Sequence, residues 1–291
     1  MKLKNMTYCH EHTTIDLSGV KKDLDCRLNC KEDTINEFKA LKEKGVSRIL
    51  DMTNRGMGRD IFYINDVSRK SGIDIIPSTG YYKEPYLPKE VYELNEEALS
   101  KILVKELMIG IEETNVKAKI IGEIGTSLDH IEDMEKKVFS AASRAHLDTG
   151  APIVTHTTLG KLGLEQLEIF QSFGVNLRSV VLSHIDLSGD LEYILRLLDK
   201  GVNIAFDTVG KINYESDENR AAWLKILCNK GYSKQIVLSM DITRKSHLKA
   251  NGGIGYEYLI DKFLPRLYDL EINEQHIEDM LVNNIKDIYR I

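Results

Sequence analysis

The sequence has few prolines and cysteines and no long hydrophobic run. Its 291 residues include 5 Pro and 4 Cys, which leaves no Pro-rich linker and too few thiols for the disulfide framework of a small secreted protein. No apolar stretch approaches the roughly 20 residues that a membrane helix needs, and the first residues lack the apolar core of a signal peptide. We therefore expect a cytoplasmic protein with reduced cysteines and no membrane partner.

The chain also lacks an excess of basic residues. Proteins that bind nucleic acids usually concentrate Lys and Arg on one surface to neutralise phosphates. The formal net charge here is −6, so nucleic acid is not an expected partner. A small-molecule substrate is compatible with this balance even if it is anionic, because a few local Lys and Arg residues can act against a negative average.

Short β-branched segments alternate with longer amphipathic segments along the chain. Strands that are joined by helical crossovers pair in parallel, and eight such units make a closed (β/α)8 barrel. The predicted fold is therefore an α/β TIM barrel that forms a single domain over residues 1–291, with an open doubly wound sheet as the alternative. The predicted elements include a long helix over residues 90–113, an eighth strand over 235–241, and closing helices over 257–267 and 274–283.

The first apolar run ends in Cys9-His10-Glu11-His12. Side chains alternate between the two faces of a strand, so His10 and His12 are expected to point the same way and Glu11 to point away. Imidazole is the commonest metal ligand in proteins, and two rings on one face can converge on one ion. The alternative is a half-buried strand whose two histidines are satisfied by hydrogen bonds.

Further metal-competent side chains fall at or near the ends of other predicted strands, where active sites of (β/α)8 barrels are assembled. They are Glu123, His156, His184 and Asp241, after the fourth, fifth, sixth and eighth strands. With the first two histidines they suit zinc or manganese. Six ligands exceed what one catalytic zinc needs, since such a zinc takes three protein ligands and a water. Two metals that share Glu123 and a hydroxide would favour hydrolysis.

Several motifs resemble the phosphotriesterase family of the amidohydrolase superfamily, and most closely its branch of phosphotriesterase homology proteins. The resemblance covers almost the whole chain. The matching motifs are Cys9-His10-Glu11-His12, Ile121-Gly122-Glu123-Ile124-Gly125-Thr126-Ser127, Thr155-His156-Thr157, Ser183-His184-Ile185-Asp186, Phe206-Asp207-Thr208 and the stretch 241–256, which begins Asp241-Ile242-Thr243-Arg244.

This resemblance implies a binuclear site with two divalent ions, zinc or alternatively manganese. It implies that His10, His12 and Asp241 hold the more buried ion and that His156 and His184 hold the more exposed one. Better-known phosphotriesterases bridge the two ions with a carboxylated lysine, whereas this chain has Glu123, a shorter side chain. The resemblance also implies that Asp241 accepts the proton of the attacking hydroxide, and that a homodimer is a possible assembly.

Basic and aromatic residues in the predicted loops are candidates for substrate contacts. Arg244, Tyr82 and Lys249 are the expected contacts, since a guanidinium or ammonium can bind a phosphate or carboxylate and a phenol can bind a leaving oxygen. Arg55, Arg59 and Lys211 also follow strands and are further candidates. Each could instead be an ordinary solvated or packed loop residue.

Three functional hypotheses follow. The first is a binuclear metal-dependent hydrolase that uses a bridging hydroxide to cleave a small ester or lactone, such as a phosphorylated or carboxylated sugar lactone. The second is a hydrolase of phosphoesters, including phosphotriester-like substrates. The third is a metal-binding sensor or partner protein without catalysis.

Overall fold

The computed structural model describes residues 3–291, and its centre is a sheet of eight parallel strands that neighbour one another in chain order. This arrangement confirms the predicted (β/α)8 barrel. Residues 1 and 2 of the expected domain lie outside the described residues. The eight strands are β1 (Met6–Glu11), β4 (Val46–Asp51), β5 (Asp74–Thr79), β6 (Ile120–Thr126), β7 (Ile153–Thr157), β8 (Val180–Ser183), β9 (Asn203–Phe206) and β10 (Ile236–Leu238). A short antiparallel pair, β2 (Ile15–Asp16) and β3 (Arg27–Leu28), lies between β1 and β4 in the chain.

A buried carboxylate joins the first strand of the barrel to the segment that follows the last. Glu11 accepts hydrogen bonds from the Ser239 hydroxyl at 2.6 Å, from Met240 N–H at 2.8 Å and from Ile242 N–H at 3.0 Å. The prediction of a strand over 235–241 was therefore wrong at its end. β10 stops at Leu238. The N–H of Ser239 still bonds to the carbonyl of Phe206 in β9, but the N–H groups of Met240 and Ile242 bond to the Glu11 side chain instead of to a neighbouring strand.

Helices follow the strands and cover the outside of the barrel. Several begin at side-chain caps. Asp60 and Asp190, for example, each accept a hydrogen bond from the backbone N–H of the third residue of the following helix. Gly72 and Gly150 end helices in the left-handed conformation, which costs glycine little. The helices are α1 (Ser18–Lys21), α2 (Lys31–Glu43), α3 (Ile61–Ser71), α4 (Lys89–Glu93), α5 (Glu96–Met108), α6 (Asp133–Thr149), α7 (Gly163–Ser172), α8 (Leu191–Asp199), α9 (Asp217–Asn229), α10 (Leu264–Asp269), α11 (Glu274–Glu278) and α12 (Asn284–Tyr289).

Three predicted helical regions are divided in the structure. The region 90–113 contains α4 and α5, separated at Leu94, whose backbone is extended, and Asn95 caps α5 by accepting from Ala98 N–H. In the region 257–267, a π-helical segment over Leu259–Phe263 precedes α10, whose first turn contains Pro265. Proline has no N–H to donate to the preceding turn, so the pitch changes there. The region 274–283 begins with α11, passes through a π-helical segment over Asp279–Asn283, and is continued by α12.

The barrel interior is apolar at one end and polar at the other. Each of the eight barrel strands contributes a residue to one buried apolar cluster, which contains Cys9, Leu50, Met52, Ile76, Ile120, Val154, Val181, Ala205 and Val237. Ile285, Ile288 and Tyr289 of α12 pack against this cluster, and Asn284 donates to the carbonyl of Ile236 at the start of β10. Because α12 covers the end where the strands begin, access to the barrel is left at the end where they finish.

Within residues 3–291, every helix is too short or too polar to cross a membrane. The four cysteines are free thiols. Three of them are buried, namely Cys9, Cys26 and Cys228.

Candidate active site

A cavity of about 560 Å³ opens at the carboxyl ends of the strands. Its wall contains four of the six residues that the sequence singles out as metal ligands. These are Glu123, His156, His184 and Asp241. His10 and His12 lie beneath them and are fully buried.

The carboxylate of Glu123 lies at the centre of the four histidines. Its Oε1 is 3.6 Å from Nε2 of His12, and its Oε2 is 3.5 Å from Nε2 of both His10 and His184. The same Oε2 is 3.3 Å from Nδ1 of His156. The structure also brings together the two ends of the set, since Asp241 Oδ1 lies 3.3 Å from Nε2 of His12, which is 229 positions earlier in the chain.

The spacing of these atoms fits metal coordination. Ligand atoms that bind one ion tetrahedrally at about 2.1 Å lie about 3.4 Å from one another, and the distances here are 3.3–3.7 Å. Two groups have ligand atoms that all lie within 4.8 Å, namely His10, Glu123 and His184, and His10, His12 and Asp241. Within the described part of the chain, the Nε2 atoms of His10 and His12 and Oε2 of Glu123 are buried without a hydrogen-bond partner. Unpartnered buried nitrogen and oxygen atoms are costly, and a cation would satisfy them.

A hydroxyl fixes the ring of His12 with Nε2 towards this centre. Thr53 Oγ1 donates to the carbonyl of Thr14 at 2.7 Å and lies 2.8 Å from Nδ1 of His12. Because a carbonyl can only accept, the hydroxyl proton is committed to Thr14, and Thr53 accepts from the His12 ring. Nδ1 therefore carries the proton, and the lone pair on Nε2 is free to bind a metal.

Asp207 orients two further rings in the same way. Its Oδ1 accepts from Nδ1 of His184 at 2.9 Å, and its Oδ2 lies 3.1 Å from Nδ1 of His10. The carboxylate is fully buried. Nδ1 of His10 also lies 3.0 Å from Ser183 Oγ. Both rings present Nε2 towards Glu123, the arrangement that metal-binding histidines with a carboxylate behind them adopt.

His156 faces the centre through its other nitrogen. Thr158 Oγ1 donates to the carbonyl of Thr126 at 2.7 Å and lies 3.2 Å from Nε2 of His156. By the same reasoning Nε2 carries the proton, and Nδ1 presents its lone pair to Glu123. The hydroxyl of Tyr82 is 3.3 Å from both ring nitrogens. The geometry thus gives this histidine a different ligand atom from that of the other three.

The centre has a strongly negative field. Burial disfavours the charged ring of His10, yet the carboxylates of Glu123 and Asp207 raise its pKa to about 10. The side chain of Lys211 forms an ion pair with Asp241 Oδ2. Burial opposes ionisation of Asp241, but the charge of Lys211 and the adjacent histidines hold its pKa below its ordinary value. The negative field that favours protonation of His10 also favours a divalent cation. The cation competes with the proton for the ring nitrogen.

Two of the expected ligands have left-handed backbones. His184 has φ of 62° and Asp241 has φ of 51°, a conformation that is uncommon for residues other than glycine. Each follows the end of a strand directly or within three residues, β8 for His184 and β10 for Asp241. Such backbones cost energy and concentrate at functional sites.

The structure places two of the three expected substrate contacts in the cavity wall and the third outside it. Tyr82 and Arg244 line the cavity, and the guanidinium of Arg244 is 2.8 Å from Asp23 Oδ2. Lys249 lies outside the cavity lining and forms an ion pair with Glu257. The expectation of a substrate contact at Lys249 therefore has no support from its position, because its ammonium holds the loop instead.

Arg55 and Arg59 also turn away from the cavity. They bind the buried carboxylate of Glu106, with Arg55 Nη1 at 2.7 Å from Oε1 and Arg59 Nη1 at 2.7 Å from Oε2. Thr79 donates to the same carboxylate at 2.6 Å. This cluster ties β5 and α5 to the segment after β4, so these two arginines are structural rather than substrate contacts.

Sequence reasoning assigned no role to two residues of the site. Asp207 follows an apolar strand, as the expected ligands do, but it lies behind two of them, His184 and His10. Lys83 lines the cavity, but no sequence pattern distinguishes it, because lysine is common in loops.

Comparison with known proteins places the chain in a family. The model of the phosphotriesterase family matches residues 3–289. The chain is 43% identical to the phosphotriesterase homology protein of Escherichia coli strain K12 over 98% of this chain and 97% of that protein. It is 30% identical to the phospho-furanose lactonase of Mycoplasmopsis synoviae over 97% of this chain and 87% of that protein. The crystal structure of the E. coli protein, complexed with phosphate in its active site, superimposes with a TM-score of 0.96 over 98% of this chain and 99% of that one. The chain therefore belongs to the phosphotriesterase family and is a hydrolase.

Proposed function

We propose that this protein is a metal-dependent hydrolase of small esters or lactones that carry an anionic group, such as a phosphorylated or carboxylated sugar lactone. The observation that carries the proposal is the convergence of six side chains, with three buried atoms unpartnered, at the floor of an open cavity. Such a site provides both the ligands for metal ions and the space for a small substrate.

The proposed ligands form two sets that share Glu123. His10, His12 and Asp241, whose ligand atoms lie within 4.8 Å of one another, form one set. His156 and His184, which both line the cavity, form the other. Two divalent ions, zinc or manganese, would supply an activated water and polarise the oxygen of the scissile bond when bound. The side chain of Glu123 supports a shared role because its two oxygen atoms face different histidines.

The chain supplies the groups that move and hold protons. Asp241 accepts the proton of the attacking water, and Lys211 stabilises the carboxylate until then. Burial raises the pKa of Tyr82 well above 10, so its hydroxyl remains protonated at neutral pH. It can donate to an oxygen of the substrate beside His156.

The preference for an anionic substrate rests on the cavity wall and on the relatives. The wall carries Lys21, Lys83, Lys211 and Arg244, cations that can bind a phosphate or carboxylate. A relative that shares 30% identity is a phospho-furanose lactonase. Both observations favour a phosphorylated lactone over a neutral one.

The test is an assay of protein loaded with zinc or manganese against paired lactones with and without a phosphate group. We expect turnover of lactones and a higher kcat/KM for the phosphorylated member of each pair. Metal analysis of the same protein is expected to give about two ions per chain. Metal binding without turnover of any lactone, ester or phosphoester would favour a sensor or partner protein and overturn the proposal.

Phosphoester hydrolysis is the second candidate function. The E. coli relative has been crystallised with phosphate in its active site, so phosphate fits the site of a protein that is 43% identical. Phosphomonoesters, diesters and triesters therefore belong in the same assay. A kcat/KM for one of them above that for every lactone would make this candidate the better one.

A further inference from the structure

Lys83 lies in the cavity wall beside His156. The two residues flank Gly125 of β6, where a Cβ atom would lie 3.0 Å from the Cβ of His156 and 3.2 Å from that of Lys83. The N–H of Gly125 donates to the carbonyl of Tyr82 at 2.9 Å, which holds the chain before Lys83 against the strand. The position of this lysine is thus set by backbone contacts next to the proposed metal ligand.

The ammonium of Lys83 is half-buried and, among residues 3–291, has no carboxylate within ion-pair distance. Its Nζ donates to the carbonyl of Glu84 at 3.2 Å and lies 5.8 Å from the ring centroids of Tyr82 and Tyr86. One carbonyl and two ring faces leave donor capacity unused, because an ammonium has three N–H groups.

The nearby carboxylates are bound elsewhere. Glu84 accepts from the hydroxyl of Tyr92 at 2.7 Å. Glu135 accepts from Ser127 Oγ at 2.8 Å and from the N–H groups of Ser127 and Glu132. Neither carboxylate is free to turn towards Lys83 without losing these hydrogen bonds.

Two other cations of the cavity wall, Lys211 and Arg244, already have carboxylate partners. Lys211 is paired with Asp241, and Arg244 is paired with Asp23 and Asp25. An anion that approached either of them would have to compete with a carboxylate that is already bound. Lys83 offers a partly desolvated charge without that competition, and a partly desolvated charge gains most from an arriving counter-ion.

We propose that Lys83 is a specificity-determining residue that binds a phosphate or carboxylate group of the substrate on the His156 side of the cavity. This inference rests on the proposed hydrolase function and assigns the recognition of its anionic substrate to one side chain. It also gives the substrate an orientation: the anionic group lies towards the loops after β5 and β6, across the site from the Lys211–Asp241 pair.

The test compares wild type with Lys83→Met, which removes the charge and keeps the length of the side chain, and with Lys83→Arg, which keeps the charge. Lys161→Met is the matched control, since Lys161 is an exposed lysine that follows β7 and lies outside the cavity lining. Inorganic phosphate is titrated calorimetrically into each metal-loaded protein. We expect Lys83→Met to weaken phosphate binding about tenfold, Lys83→Arg to retain most of it, and the control to change little.

Steady-state kinetics provide the second readout. Lys83→Met is expected to raise KM for a phosphorylated lactone about tenfold with little change in kcat, and to leave the neutral lactone unaffected. Phosphate binding equal to that of wild type would overturn the inference, as would an equal loss of kcat on both lactones. Thermal unfolding checks that each variant folds, and Lys83→Gln replaces Lys83→Met if the latter does not. If no lactone is hydrolysed, the proposed function fails, while the phosphate titration still decides the role of Lys83.

Discussion

The carboxylate of Asp207 holds His184 by two hydrogen bonds, one from Nδ1 of the ring at 2.9 Å and one from the backbone N–H at 2.8 Å. Its second oxygen faces Nδ1 of His10 at 3.1 Å. In Asp207→Asn, an NH2 group would replace one of the two oxygens. The Nδ1 atom of the histidine that faced this oxygen would lose its acceptor, so the ring would no longer be held with Nε2 free. We expect a 10- to 100-fold loss of metal affinity or hydrolysis, measured by metal analysis after dialysis and by lactone assay.

Asp148→Asn is the control for this substitution. Asp148 lies exposed near the end of α6, and we expect wild-type metal content and turnover. If Asp207→Asn also kept both, the carboxylate would not be needed to orient the two rings.

The two proposed functions of Asp241 can be separated from the function of His156. Asp241→Asn is expected to abolish turnover, because an amide cannot accept the proton of the attacking water, while an amide oxygen preserves most of the metal content. His156→Ala is expected to reduce the metal content towards one ion per chain. Metal analysis and lactone assays on both variants provide the measurement, and unchanged metal and hydrolysis in His156→Ala would show that the ligand set is wrongly assigned.

The barrel and the convergence of its polar residues could be predicted because both follow from local patterns. β-branched strands alternate with amphipathic helices, and polar residues such as His156 and His184 stand where apolar runs end. In a parallel barrel all these ends meet at one face. The ring nitrogen that each histidine presents could not be predicted, because it depends on contacts between residues that are distant in the sequence. Thr53 is 41 positions from His12, and the hydroxyl of Thr158 is oriented by the carbonyl of Thr126, 32 positions earlier.

The buried carboxylate of Glu106 is expected to stabilise the fold. It is 2% exposed and binds Arg55, Arg59 and Thr79. Glu106→Gln leaves two arginines around a neutral group, so the free energy of unfolding at pH 7 should fall by about 3 kcal/mol. Urea unfolding measures the change. Glu97→Gln, at an exposed ion pair with Lys101, is the control and should leave the midpoint unchanged.

The contribution of Glu106 should also depend on pH. Burial acts to raise its pKa, but hydrogen bonds and charges from Arg59, Thr79 and Arg55 outweigh burial and hold the pKa below the ordinary value of 4.5. A group whose pKa is lower in the folded state stabilises the protein above its unfolded pKa and loses that contribution as the pH falls towards the folded pKa. The difference in urea midpoint between wild type and Glu106→Gln should therefore shrink below about pH 4.5, and a constant difference would contradict this account.

Glu11 is expected to stabilise the closure of the barrel. Its oxygens accept from the Ser239 hydroxyl and from the N–H groups of Met240 and Ile242. In Glu11→Gln an NH2 group would face a backbone donor, which should cost about 1–3 kcal/mol of unfolding free energy. Hydrogen exchange at Met240 and Ile242 should become faster than in wild type, and unchanged protection there would rule out this role of the side chain.

The roles of Glu11 and Lys83 illustrate what the sequence leaves open. The alternation of a strand predicts that Glu11 turns away from its flanking histidines, but not that it meets the residues after the last strand, 228 positions later. Lys83 differs from Arg55, Arg59 and Lys249 in lining the cavity and in having no carboxylate partner among residues 3–291. That difference depends on where Glu84, Glu106, Glu135 and Glu257 lie in three dimensions.

Gly125 is expected to be required for the position of His156. A Cβ atom at this residue would approach the Cβ atoms of His156 and Lys83 to 3.0 and 3.2 Å, closer than atoms of packed side chains normally lie. Gly125→Ala must therefore displace β7 or the loop after β5 by a few tenths of an ångström. Because hydrolysis depends on exact placement of the ligands, kcat/KM for the best lactone should fall about tenfold or more. Gly19→Ala is the matched control, since no atom of residues 3–291 outside its immediate chain neighbours lies within 4 Å of its added Cβ and alanine favours the helix α1 that contains it. Wild-type kcat/KM in Gly125→Ala would mean that the strand can move without disturbing the site, and that the spacing of His156 from Glu123 is not what limits catalysis.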